Sequence, residues 1–70
     1  MNIKIKTDFI RLDAALKLGN LVSSGGQAKL EIQNGSVKVN GEVCTMRGKK
    51  LKCGDSFEFS GKVITVINEN

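Results

Sequence analysis

The chain has 70 residues, 40% of them hydrophobic, and 11 basic against 7 acidic side chains give it a net charge of +4. This length allows one small domain with a thin core. The positive charge favours a polyanionic partner, either a nucleic acid or an anionic membrane surface. The sequence contains no His, which is the commonest general base and metal ligand, so an enzyme acting alone is a poor interpretation.

Cysteine content and hydropathy also limit the class of protein. Cys44 and Cys53 are too few for a structural zinc site, which needs four Cys or His ligands, unless two chains share it. The first residues lack the apolar run of a signal peptide, and no segment has the ~20 apolar residues of a membrane span. We therefore expect a cytoplasmic monomer with reduced thiols, no metal and no cofactor.

Hydrophobic periodicity predicts that the chain begins with a strand and a helix. Residues 2–6 alternate between apolar and basic side chains after Asn2, as a half-buried strand requires. Apolar residues three and four apart predict a helix over 10–19. Gly19 and Asn20 tolerate left-handed backbone and are expected to end this helix.

A second helix is expected over 26–34, after a Ser cap and before Gly35. Leu30 is expected to support its apolar face. The two helices should pack against each other through a seam of four apolar side chains, which are Leu12, Leu16, Ala28 and Ile32.

After Gly35 the apolar pattern returns to a period of two, which predicts a small meander of three or four strands. Asn40-Gly41 is a strong hairpin signal, and the returning strand is expected to run through Thr45. Leu51 is expected to be buried in the core, between a basic loop at 46–50 and a turn at 53–55. Phe57 and Phe59 belong to the next strand, and the last strand buries either Val63, Thr65 and Ile67 or Ile64 and Val66. The sum is an α+β fold.

The densest cluster of charge has four cations in six residues and no acid, and consists of Arg47, Lys49, Lys50 and Lys52. Side chains in such a loop can spread along a phosphate backbone and release its counterions. A solvated surface loop, the commonest fate of a run of like charges, is the alternative interpretation.

Two further groups of candidate residues lie near the predicted helix starts. Arg11 either reaches a phosphate or pairs with Asp13, whose place in the first turn suits the helix dipole. Gly25 and Gly26 offer backbone amides that attract anions, and Lys29 lies about one turn further on. The alternative is that the glycines serve a tight turn. The segment lacks the Lys-Ser/Thr pair of a nucleotide-binding phosphate loop.

The order of these motifs resembles the RNA-binding domain named after ribosomal protein S4. The segments that carry the resemblance are Arg11-Leu12-Asp13, Ser24-x-x-x-Ala28-Lys29, Gly35-x-Val37-x-Val39-Asn40-Gly41 and Gly54-Asp55, within residues 9–59. Short stand-alone bacterial members of the family are the most similar. The resemblance implies the αL motif: two antiparallel helices packed on a small, bent, mostly antiparallel sheet, to which this chain adds an N-terminal strand.

The resemblance also implies binding of structured RNA, often ribosomal RNA, by one surface that includes the helices and the basic loop. Many members have Arg at the position of Gly25, so this chain lacks that cation; our hypothesis, separate from the resemblance, is that the amides of Gly25 and Gly26 partly substitute for it. With no Trp or Tyr, and its Phe side chains expected in the core, the chain should recognise RNA by shape and charge. The candidate RNA-binding residues are Arg11, Lys17, Gly25, Gly26, Lys29, Arg47, Lys49, Lys50 and Lys52.

These observations predict a non-catalytic, ribosome-associated protein whose partners are structured RNA, above all ribosomal RNA, and proteins of the ribosomal subunits. The alternatives are a protein-interaction module and an accessory module for an RNA-modifying enzyme or a ribosomal protein. A membrane-surface binder is disfavoured, because neither helix combines a strong apolar face with a basic one.

Overall fold

The structure is a computed structural model that describes residues 1–69. Its strands are β1 (Asn2–Ile5), β2 (Ile10–Arg11), β3 (Val37–Val39), β4 (Glu42–Val43), β5 (Lys50–Leu51), β6 (Ser56–Phe59) and β7 (Lys62–Asn68). Its helices are α1 (Leu12–Leu18) and α2 (Gly25–Gln33). The chain therefore has the α+β architecture that the periodicity predicts, with both helices between the first strands and the meander.

Five strands form one sheet in the order β1-β7-β6-β3-β4, and β2 pairs with β5 in a separate two-stranded ribbon. The pairing of β1 with β7 is parallel, and the other strand pairs are antiparallel. Ile3 of β1 lies beside Val66 of β7, so residues near opposite ends of the sequence share one face of the sheet. This pairing is the added N-terminal strand expected from the sequence.

Two tight turns shape the meander. Asn40 and Gly41 connect β3 to β4 with φ angles of 51° and 88°, the two positive values that a type I′ hairpin turn needs. Ser60 and Gly61 do the same between β6 and β7, with φ angles of 56° and 79°. The first turn is the predicted hairpin, whereas the sequence indicated only a turn at Gly61 for the second.

The core lies between the helices and the five-stranded sheet, and it contains no buried polar or charged residue within 1–69. The four predicted seam residues, Leu12, Leu16, Ala28 and Ile32, are each 0% exposed. Leu51 is also fully buried, and Ile64 and Val66 are the residues of β7 that face the core. Neither helix in the described chain has the length and apolar character needed to cross a bilayer.

Three predicted details are wrong. Helix α1 begins at Leu12 instead of residue 10, because Ile10 and Arg11 pair with β5. Leu30 is 64% exposed, because a residue two positions from Ala28 lies on a different face of the helix. Strand β4 ends at Val43 and does not reach Thr45: the Cys44 amide still donates to the Val37 carbonyl at 3.0 Å, and the chain then enters the basic loop, whose carbonyls accept from the first turn of α1.

Candidate nucleic-acid interface

The basic loop is attached to the first turn of α1 by backbone hydrogen bonds. The amide of Leu12 donates to the Lys49 carbonyl at 2.8 Å, and the amide of Asp13 donates to the Arg47 carbonyl at 3.2 Å. No side chain caps α1, so the loop carbonyls accept from amides that have no partner within the helix. The loop is therefore held at the start of α1, next to Arg11.

Arg11 is paired and accessible at the same time. Its guanidinium contacts the Asp13 carboxylate at 3.2 Å, while 52% of the side chain remains exposed. It also lies beside Gly48, where an added Cβ atom would stand 3.8 Å from the Arg11 Nη2 atom. Both interpretations of Arg11 are compatible with this geometry, because an exposed ion pair is weak and orients the guanidinium without withdrawing it from solvent.

The start of α2 faces the same part of the molecule. Ser24 is the N-cap predicted from the sequence, and its hydroxyl accepts from the Gln27 amide at 3.1 Å. Gln27 in turn accepts from the Ser23 amide and hydroxyl, each at 3.1 Å, which resembles a capping box. The spacing Ser24-x-x-Gln27 is the sequence signature of such a box, although only the Ser cap was predicted from it.

A shallow depression lies between α1 and the first residue of α2. It is lined by Arg11, Asp13, Ala14, Lys17 and Gly25. The structure thus brings together three candidate RNA-binding residues, two of which are cations. These residues lie close together only because α1 packs against α2.

The remaining candidates are spread more widely. Gly26 and Lys29 are exposed on α2, outside the residues that line the depression. Lys49 lines a second concave region, next to Asn40 and the β3–β4 hairpin. Within residues 1–69 the ion pairs are Arg11–Asp13 and Lys6–Glu69. No carboxylate there forms an ion pair with the other candidate cations, which are Lys17, Lys29, Arg47, Lys49, Lys50 and Lys52.

The end of the basic segment is fixed by Asp55. Its carboxylate accepts from the Lys52 backbone amide at 2.8 Å and from the Asn40 side-chain amide at 3.3 Å. The Lys52 amide hydrogen bond is the main reason that the pKa of Asp55 lies below its ordinary value; partial burial opposes it, while Asn40 and the charges of Lys49 and Lys52 add to it. These contacts join the Asn-Gly and Gly-Asp segments found in the sequence.

Phe9 is the residue that the sequence interpretation placed wrongly. It is 39% exposed and not part of the core, because it precedes β2 on the side of the ribbon that faces solvent. The Lys50 Nζ atom lies 4.8 Å from the centroid of its ring. The exposure of Phe9 follows only once the ribbon is known, since Ile10 packs against the core and successive residues of extended chain point to opposite sides.

Metal binding finds no support in the described residues. No group of three or more His, Cys, Asp or Glu side chains within 1–69 is arranged to hold a metal ion. Cys44 is partly buried, Cys53 is exposed, and both are free thiols.

Comparison with known proteins identifies the class. The sequence matches the S4 domain over residues 3–67, and the chain belongs to the S4 domain family. One relative, from Bacillus subtilis (strain 168), is named "Probable ribosome maturation protein RlbA". It is 42% identical over 59 residues, which cover 84% of this chain and 83% of the relative.

A second relative has a solved structure. YbcJ of Escherichia coli (strain K12) is 37% identical over 62 residues, which cover 89% of each protein. The solution structure of YbcJ from E. coli superposes with a TM-score of 0.72 and 34% identity, over 94% of this chain and 85% of that one. It is described as revealing an αL motif involved in RNA binding. The fold expected from the resemblance is thereby confirmed.

Proposed function

We propose that this chain is a non-catalytic, cytoplasmic protein that binds structured RNA, above all ribosomal RNA, and acts at the ribosome. The observation that carries the proposal is the attachment of the basic loop to α1. It presents Arg47, Lys49 and Lys50 beside Arg11, on exposed positions with backbone support. The name of the Bacillus relative and the description of the YbcJ structure agree with this function.

The cations would act through the RNA backbone. Lys49 and Lys50 in the loop, together with Arg11 and Lys17 at the depression, would neutralise phosphates that the fold of the RNA brings close together. Double-stranded RNA is recognised mainly by its shape and its backbone, because side chains do not reach the bases in its deep groove. The backbone amide of Gly25 would add to the positive potential at the depression.

Reversal of charge in the loop tests the proposal. The double variant Lys49→Glu/Lys50→Glu is expected to weaken binding to ribosomal RNA fragments by about tenfold or more, because phosphate contacts are replaced by repulsion. A filter-binding or anisotropy titration measures the change. Thermal melting should stay close to that of the unchanged protein, since both lysines are exposed.

A matched control separates local contacts from total charge. Lys4→Glu/Lys62→Glu alters exposed residues of β1 and β7 and lowers the net charge by the same amount, from +4 to 0, since each reversal subtracts two charges. This control should bind RNA much better than the loop variant. Equal affinities for the two variants would contradict a loop-centred interface. Ribosome co-sedimentation that survives the loop reversal would favour a protein contact instead.

A further inference from the structure

The β2–β5 ribbon has one face toward the core and one toward solvent. Ile10 pairs with Leu51 in the ladder, and both pack in or against the core. Arg11 pairs with Lys50, and both are exposed. Because successive side chains of a strand point to opposite faces, Phe9 lies on the solvent side with Arg11 and Lys50.

Two contacts hold Phe9 at this position, one to its backbone carbonyl and one to its ring. The Thr7 hydroxyl donates to the Phe9 carbonyl at 2.7 Å, and the Lys50 ammonium lies over the ring at 4.8 Å from the centroid. Phe9 is nevertheless 39% exposed. It differs in this from Phe57, which is 1% exposed in the core, and from Phe59, which packs against the core.

An exposed aromatic ring among cations is the arrangement that binds single-stranded nucleic acid, in which bases stack on the ring and phosphates follow the charges. The solvent face of the ribbon supplies two cations, Arg11 and Lys50, and Lys52 follows two residues after Lys50. The Lys50 ammonium lies over one face of the Phe9 ring in a cation–π contact, so a base would stack on the opposite face. The same small area can therefore hold a base and its neighbouring phosphates.

We propose that Phe9 is a stacking platform for an unpaired nucleotide of the bound RNA, while Arg11, Lys50 and Lys52 contact the phosphates on either side. This inference rests on the proposed function and specifies the kind of RNA that is bound. The RNA would be a duplex that is interrupted by an unpaired nucleotide, and not a continuous duplex. Stacking tolerates any base, so the preference is for RNA structure and not for sequence.

A pair of oligonucleotides tests this proposal. One is a blunt 16-base-pair RNA duplex, and the other is the same duplex with a single bulged adenine, both titrated at low ionic strength, where phosphate contacts give measurable binding. The unchanged protein is expected to prefer the bulged RNA by about fivefold or more. Phe9→Leu should lose this preference and keep its affinity for the duplex. Val63→Ala, at another exposed apolar position, should keep both.

A fluorescence measurement gives a second readout that does not depend on affinity. The sequence contains no Trp, so Phe9→Trp introduces a single indole whose emission reports directly on base stacking. Saturation with the bulged RNA should quench this emission strongly, and saturation with the blunt duplex should not. Circular dichroism melting checks that each variant folds.

The outcomes separate the two proposals. Equal binding of both RNAs by the unchanged protein, or equal emission of Phe9→Trp with both, would overturn the stacking role and leave RNA binding intact. If neither RNA binds at low ionic strength, the proposed function itself fails, and the stacking role fails with it.

Discussion

Asp55 connects two parts of the chain that are far apart in sequence. Its carboxylate accepts one hydrogen bond from the Lys52 amide and one from the Asn40 side chain. Asn40 in turn accepts from the Ser56 amide at 3.0 Å. The end of the basic segment and the β3–β4 turn are therefore fixed to each other by a carboxyl group whose ionised form these donors favour.

Replacement of this carboxylate should destabilise the fold at neutral pH. We expect Asp55→Ala to lower the free energy of unfolding by about 1 kcal/mol, because the Lys52 amide loses the carboxylate that accepts its hydrogen bond. Urea denaturation at neutral pH measures this change. Asp8→Ala removes an exposed carboxylate and serves as the control, with little expected effect.

The stability difference between the unchanged protein and Asp55→Ala should also depend on pH, with a definite sign. The pKa of Asp55 is lowered in the folded protein from its ordinary value of 3.8. Its stabilising contribution is thus present above pH 3.8 and is lost as the pH falls through the folded value. The difference between the unchanged protein and Asp55→Ala should shrink below that pH. A difference that grows on acidification would contradict this role.

At the level of secondary structure, the seam between α1 and α2 determines whether the depression exists. Leu16 is 0% exposed, and Leu18, two residues further along α1, is 51% exposed. Leu16→Ala should lower the free energy of unfolding by ~2–5 kcal/mol, because it removes buried methyl groups and leaves a cavity. Leu18→Ala should change it by less than about 0.5 kcal/mol.

Chemical denaturation of the two variants tests this pair of expectations. RNA binding by Leu16→Ala should fall together with its helical circular dichroism signal, since the candidate interface depends on the packed helices. Similar losses of stability for Leu16→Ala and Leu18→Ala would contradict the burial of Leu16 in the seam between the two helices.

The helices and the meander could be predicted from the sequence because local signals specify them. Ala28 and Ile32 are spaced for one helical face, and Asn40-Gly41 specifies a hairpin turn. The β2–β5 ribbon could not be predicted, since each strand has two residues and becomes a strand only through a partner about 40 residues away. For this reason the start of α1 and the exposure of Phe9 were both predicted wrongly.

The candidate site shows the same division. The candidate cations were identified from their clustering and position in the sequence and from the family resemblance. The pairing of Arg11 with Asp13 was one of two alternatives left open. The hydrogen bonds from α1 to the Arg47 and Lys49 carbonyls have no signature in side-chain identity, because they are made by the backbone. They depend on how a distant loop returns to the helix.

For the whole molecule, the number of phosphates that the cations contact should set how strongly RNA binding depends on salt. If about five phosphates are neutralised, the logarithm of the binding constant should fall with the logarithm of salt concentration at a slope of about −3.5 to −4.5. Titrations of a ribosomal RNA fragment over a series of salt concentrations give this slope. Binding that does not change between low and moderate salt would contradict a charge-based interface.

The hydrogen bonds between the amides of α1 and the carbonyls of the basic loop have a consequence for the thermodynamics of RNA binding. Folding has already restricted this segment, so a ligand would meet a preorganised surface and would pay little conformational entropy to order it. Docking should then resemble the meeting of two rigid bodies, with no gain of helical signal and only a small change in heat capacity. Calorimetry at several temperatures would distinguish this behaviour from the coupled folding and binding typical of flexible basic tails.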